Sequence, residues 1–156
     1  MGDLTDIVER LDHISVAVWD IRASAPLAEL MGGTFRDGGL SFDGEFHWAQ
    51  WDLPSGKLEM IAPVDRDADT FLTAFLSSRG EGPHHLTFKV PNLAAAVGAA
   101  RDLGFDVVGQ SDDLTGWKEA FVHPASAHGV LIQLAEFTDG WRSTTRTLDD
   151  ALAEGQ

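Results

Sequence analysis

Residues 11–21, LDHISVAVWDI, and residues 84–93, HHLTFKVPNL, repeat one another. With His13 aligned on His85, Val18 falls on Val90 and Ile21 on Leu93. Gly32 and Gly104 then stand at one common offset from the two histidines. Further on, GKLEMIAP at 56–63 parallels GVLIQLAEF at 129–137. Several matches in the same order at a nearly constant offset point to an internal duplication. Whatever this chain folds into must be buildable from two copies of one module.

Each copy reads as a strand, a helix and three more strands, which predicts an α+β fold of two tandem βαβββ modules. Period-2 apolar alternation predicts strands at 11–18, 34–37, 45–52 and 57–61, then at 85–90, 106–109, 118–122 and 130–135. The helices are expected at 21–31 and 93–103, with a glycine just past each as a stop and Asn92 as an N-cap. Phe71, Leu72, Phe75 and Leu76 recur at helical spacing in the connecting segment, which Gly80 closes. The organisation is therefore one compact domain with a first module at 9–64, a connecting helix at 65–81 and a second module at 82–137. A tail at 138–156 carries a helical turn or two.

The 156 residues are 44% hydrophobic, enough for a real core. No apolar run reaches the roughly 18 residues of a membrane span. The acidic start MGDLTDIVERLDH has no signal-peptide pattern, and Asp6 replaces the Ser or Thr of a myristoylation signal. The cytoplasm is the expected compartment. There is no cysteine, which excludes disulfides, thiolate catalysis and zinc–thiolate sites. A net charge of −14 argues against nucleic acid and anionic membranes as partners. A small-molecule substrate is left.

A duplicated module packs about a pseudo-twofold axis, so equivalent residues converge near it. His13 and His85 each open the first strand of a copy, and Glu59 and Gln133 are equivalent positions on the last strands. Two imidazoles, one carboxylate and one carboxamide suit a mid-row divalent ion: Mn, Fe, Co, Ni or Zn. In "GPHHLTFKV" only one histidine can serve a given face, and the repeat selects His85, leaving His84 as an outward or dimer-facing polar residue. Glu136, three positions after Gln133, points to the other face of a regular strand. His123 either contacts a substrate phosphate or simply precedes the turn at Pro124, and His128 is a solvated turn residue. Trp48 and Trp51 read as core or pocket wall. The stretch GGLSFDG at 38–44 reads as a flexible lid or turn.

The segments LDHISVAVWDI, LEMIAPV, FLTAFLSSRGEGPHHLTFKVPNL and FVHPASAHGVLIQLAE resemble the vicinal-oxygen-chelate superfamily, which holds glyoxalase I, extradiol dioxygenases, bleomycin-resistance proteins and methylmalonyl-CoA epimerases. The methylmalonyl-CoA epimerase type is the nearest, and the likeness covers roughly residues 9–137. It implies an open, cupped eight-stranded sheet around a divalent metal, with ligands at His13, Glu59, His85 and Gln133. It implies an epimerase or isomerase that moves an α-proton and stabilises an enolate, with a 2-methyl-branched acyl-CoA as substrate. A homodimer is also implied. Glyoxalase-I-like lyase chemistry and metal-free ligand binding are the alternatives within the family. Epimerases of this type usually carry Glu where this chain has Gln133, and Gln cannot exchange a proton at neutral pH. Acid–base duty then falls to Glu59 and to Asp43 or Glu45, with His47 a third candidate on the same strand face. Lys118 and Arg79 are candidates for a coenzyme A phosphate, set against plain solvated charges.

Overall fold

Alternation dictates the strands. In β4 (Lys57–Pro63), Leu58, Met60 and Ala62 enter one apolar cluster, while Ile61 joins another on the opposite side. The computed structural model describes residues 4–141 and 146–156. The remaining strands are β1 (Arg10–Ala17), β2 (Thr34–Leu40), β3 (Phe46–Asp52), β5 (Gly82–Lys89), β6 (Val107–Leu114), β7 (Trp117–Val122) and β8 (Ile132–Glu136). The helices are α1 (Ile21–Ser24), α2 (Pro26–Leu30), α3 (Phe71–Arg79), α4 (Leu93–Asp102) and α5 (Leu148–Leu152). The architecture is α+β, two βαβββ modules whose strands hydrogen-bond in the order β2-β3-β4-β1-β5-β8-β7-β6. Each copy thus sets its first strand beside its last, as a duplication requires.

By density of contacts the chain falls into two units whose borders lie inside β1 and β5. One unit joins the N-terminal residues through His13 to His85–Trp141. Its core gathers Val90, Leu93, Val97, Val122 and Leu134 between α4 and the strands. There β5 runs parallel to β8, with Thr87 opposite Gln133, and β8 runs antiparallel to β7, with Gln133 opposite Phe121. The other unit joins Ile14–His84 to the C-terminal residues. Its main cluster includes Val18, Ile21, Trp51, Leu58, Met60 and Leu152, the last brought in by α5. There β3 and β4 pair antiparallel, with Gln50 opposite Glu59.

Three expectations change. The helix expected at 21–31 is two short helices. Pro26 has no N–H to continue the ladder, so α2 restarts with Pro26 in its first turn. The glycine-rich stretch at 38–44 is not all lid, because Gly38 and Gly39 lie in β2. A Cβ at Gly38 would meet the Trp48 carbonyl oxygen at 2.6 Å, so glycine is what lets β2 close on β3. β6 runs to Leu114 rather than stopping at 109, with register breaks around Ser111. It is an edge strand, and exposed polar residues hide its alternation. Among the described residues, no helix is long and apolar enough to cross a membrane.

Candidate metal and active site

The first unit supplies the two histidines. His13 is 2% exposed, and its Nδ1 lies 2.9 Å from Asp12 Oδ2. A carboxylate accepts only, so Nδ1 carries a proton, and in the neutral ring this leaves Nε2 as the acceptor atom, the form that ligates metals. Arg10 Nη2 donates to the other Asp12 oxygen at 2.9 Å and keeps that carboxylate in place. The His85 ring meets the His13 ring edge-on, with centroids 6.1 Å apart, and has Phe121 on another side at 6.5 Å. Thr87 shares the His85 face of β5 by alternation, and its hydroxyl donates to Gln133 Oε1 at 2.6 Å. Gln133 Nε2 donates to Glu119 Oε2, also at 2.6 Å.

The second unit supplies Glu59, a buried carboxylate on the Ile61 face of β4. Ser15 Oγ donates to its Oε1 at 2.8 Å, and Gln50 Nε2 donates to its Oε2 at 2.8 Å. Both partners are neutral donors, so the two bonds fix the direction of the carboxylate. Trp48 lies on the face of Gln50 by alternation and packs on Ala17, Ile61, Leu72 and Leu76.

His13 and His85 in one unit and Glu59 in the other are side chains of the types that could hold a metal ion. Imidazole and carboxylate donors fit a mid-row divalent ion, and the Asp12–His13 pair is the outer-shell contact such a ligand needs.

Other expected residues fall elsewhere. Asp43 and Glu45 lie in the turn before β3, not on it. Asp43 Oδ1 is used there by Ser41 Oγ at 2.6 Å and by the Glu45 amide at 3.0 Å, and Gly44 turns the chain at φ 76°. The β3 register sets Gln50 opposite Glu59, so His47 is on the other face, with Nε2 2.8 Å from the Glu154 carbonyl. His84 is not outward: it packs on Phe71 and Phe75 of α3, with centroids 5.5 and 4.8 Å away. Burial holds its pKa below the ordinary value, partly offset by the charge of Glu59. His123 is exposed and its Nδ1 accepts from the Ala125 amide at 3.1 Å, beside a surface depression of about 460 Å³ that Arg101 also lines. Lys118 pairs with Glu136 at 3.2 Å and borders a different cleft of about 750 Å³. Glu136 also accepts from the Leu93 amide at 2.8 Å, capping α4, away from Gln133's partners. Arg79 lies over the Phe75 ring at 5.6 Å.

Asp12, Ser15, Gln50 and Glu119 escape a reading of the sequence. Only Asp12 leaves a signal there, as the neighbour of His13. The others depend on strand register.

Residues 12–121 match the family described as the Glyoxalase/Bleomycin resistance protein/Dioxygenase superfamily. The chain belongs to this superfamily. An uncharacterized Bacillus subtilis protein, YqjC, is 30% identical over 132 residues, 83% of this chain and 93% of that protein. The ethylmalonyl-CoA/methylmalonyl-CoA epimerase of Cereibacter sphaeroides is 26% identical over 137 residues, 83% of this chain and 99% of that enzyme. The crystal structure of methylmalonyl-CoA epimerase from Mycobacterium tuberculosis superposes with a TM-score of 0.76 at 27% identity, covering 86% of this chain and 91% of that one. Membership and fold confirm the resemblance drawn from the repeated motifs.

Proposed function

We propose that the protein is a metal-dependent isomerase that moves an α-proton, acting on a 2-methyl-branched acyl-CoA of the methylmalonyl-CoA kind. The observation that carries this reading is the buried carboxylate of Glu59, each oxygen held by a neutral donor. A carboxylate whose two oxygens are each held by a fixed donor is an oriented acceptor, which is what a metal ligand or a proton acceptor must be. β1 runs unbroken through His13 and Ser15, and side chains two apart share a face, so His13 belongs to the face of Glu59's own partner. His13, His85 and Glu59 would hold the ion, with Gln133 as a neutral oxygen ligand. When bound, a divalent ion supplies positive charge against the negative charge that develops on an acyl oxygen.

The chain's own residues do the rest. Asp12 holds His13 in the ligating tautomer. Ser15 and Gln50 fix the direction of Glu59. Glu59 is the group that would take the α-proton from one face, with a solvent proton delivered to the opposite face to invert the centre. The names of the Cereibacter and Mycobacterium relatives support an acyl-CoA substrate. Gln133 favours a second reading, because epimerisation draws on two exchanging groups and a carboxamide is not one. A glyoxalase-I-like lyase or isomerase acting on another small carbonyl substrate needs only Glu59.

The test is solvent deuterium exchange into methylmalonyl-CoA by cobalt-loaded protein. Exchange that is lost in Glu59→Gln supports the epimerase reading. No exchange with turnover of a hemithioacetal substrate selects the lyase. Neither reaction, with ligand binding unchanged in His85→Ala, leaves a binding protein and overturns both.

A further inference from the structure

Gln133 departs from the epimerase pattern, and its surroundings give the departure a physical cause. The two ends of a carboxamide have nearly the same shape, so the partners decide which end points where. The Thr87 hydroxyl can donate or accept, and so does not choose. Glu119 does choose. Its Oε2 takes the Trp117 indole N–H at 2.8 Å and the Gln133 Nε2–H at 2.6 Å. A carboxylate only accepts and an indole N–H only donates, so this arm fixes the amide nitrogen toward Glu119. The carbonyl oxygen then faces Thr87, which shares its strand face with His85. Trp117 is only 8% exposed and stacks on Phe137, with centroids 4.7 Å apart, so the arm is anchored in packed rings.

We infer that Glu119 is a positioning residue that makes Gln133 an oxygen donor, and that the pair Glu119–Gln133 takes the place of a single carboxylate at position 133. The Oε1 of Gln133 has two lone pairs. Thr87 takes one, which leaves the oxygen able to accept a second donor or a cation. A carboxylate at 133 would stand against the carboxylate of Glu119 at hydrogen-bond distance, where two like charges repel. Gln at 133 and Glu at 119 are therefore a matched choice. The inference rests on the metal reading given above only for the ligand that Oε1 serves.

Three measurements test it. In metal-free protein labelled with nitrogen-15, the side-chain amide signal of Gln133, identified by its loss in Gln133→Glu, is expected to shift in Glu119→Ala. Calorimetry with cobalt alone is expected to show affinity reduced about ten- to a hundred-fold in Glu119→Ala, the usual cost of losing an outer-shell partner. Gln133→Glu weakens folding, and adding Glu119→Gln restores it. An amide signal that stays in place overturns the inference. So does cobalt affinity within twofold of wild type in Glu119→Ala while His85→Ala abolishes binding. If His85→Ala binds cobalt as tightly as wild type, the metal reading falls instead, and the amide signal still decides the role of Glu119.

Discussion

Gln50 and Glu59 stand opposite one another in the β3–β4 ladder, and the Gln50 amide donates to Glu59 Oε2 at 2.8 Å. Neither residue announces this in the sequence. With Ser15 on the other oxygen, the pair turns a carboxylate among apolar neighbours into a directed acceptor.

Gln50→Leu removes a buried donor and leaves one Glu59 oxygen without it. A buried polar group that loses its partner costs about 1–3 kcal/mol. For a chain of this size that lowers the melting temperature by roughly 2–4 °C per kcal/mol. Thermal unfolding followed by circular dichroism checks this, and an unchanged melt would show that the bond contributes nothing to folding.

Asp12→Asn removes the acceptor that fixes the His13 tautomer. Loss of such an outer-shell carboxylate lowers metal affinity about ten- to a hundred-fold. Cobalt titration by calorimetry reads the effect. Wild-type affinity in the variant would show that Asp12 serves only Arg10.

Glu136 gives the acid limb of stability a definite sign. Its carboxyl is held below the ordinary value of 4.5, chiefly by the Leu93 amide and then by Lys118, against the opposing effect of burial. A lowered folded pKa contributes stability that is full above the ordinary carboxylate value and is lost as pH falls through the lowered one. Glu136→Gln is therefore expected to be less stable than wild type at neutral pH. The gap should close below about pH 4, in the range where free carboxyls gain protons. Urea midpoints across pH 3–7 measure this, and parallel curves for the two proteins would refute it.

Gly38→Ala puts a methyl group 2.6 Å from the Trp48 carbonyl oxygen, inside the β2–β3 pairing. Backbone cannot yield as a side-chain tip does, so the cost is that of overpacking, about 1–3 kcal/mol. The neighbouring loop glycine Gly44 has open space around its Cβ position but a φ of 76°, so an alanine there is strained without a clash. Comparing the two variants by denaturant unfolding separates steric from conformational cost, and equal losses would contradict the distinction.

Much of the fold was legible because a duplication states its own module. The repeat located both histidines, the equivalence of Glu59 and Gln133, and the strand–helix–three-strand order of each copy. Local chemistry was legible too, in the caps Asn92 and Gly80. Errors came where one residue breaks a pattern, as at Pro26, or where a pattern is absent, as along the polar edge strand β6.

The sequence by itself determined which residue types can act. It contains no thiol, and it has two histidines in equivalent registers, one carboxylate and one carboxamide at their partner positions. Alternation along a strand needs no partner to be read, so the face of His85 over His84 follows from the chain alone. What only the tertiary structure decided is who holds those groups. The β3–β4 register brings Gln50 to Glu59 and turns His47 away, while the turn at Gly44 spends Asp43 on its own backbone. The β5–β8–β7 register sets Gln133 between Thr87 and Glu119. Register between strands is set by turns and packing far along the chain, and no local pattern encodes it.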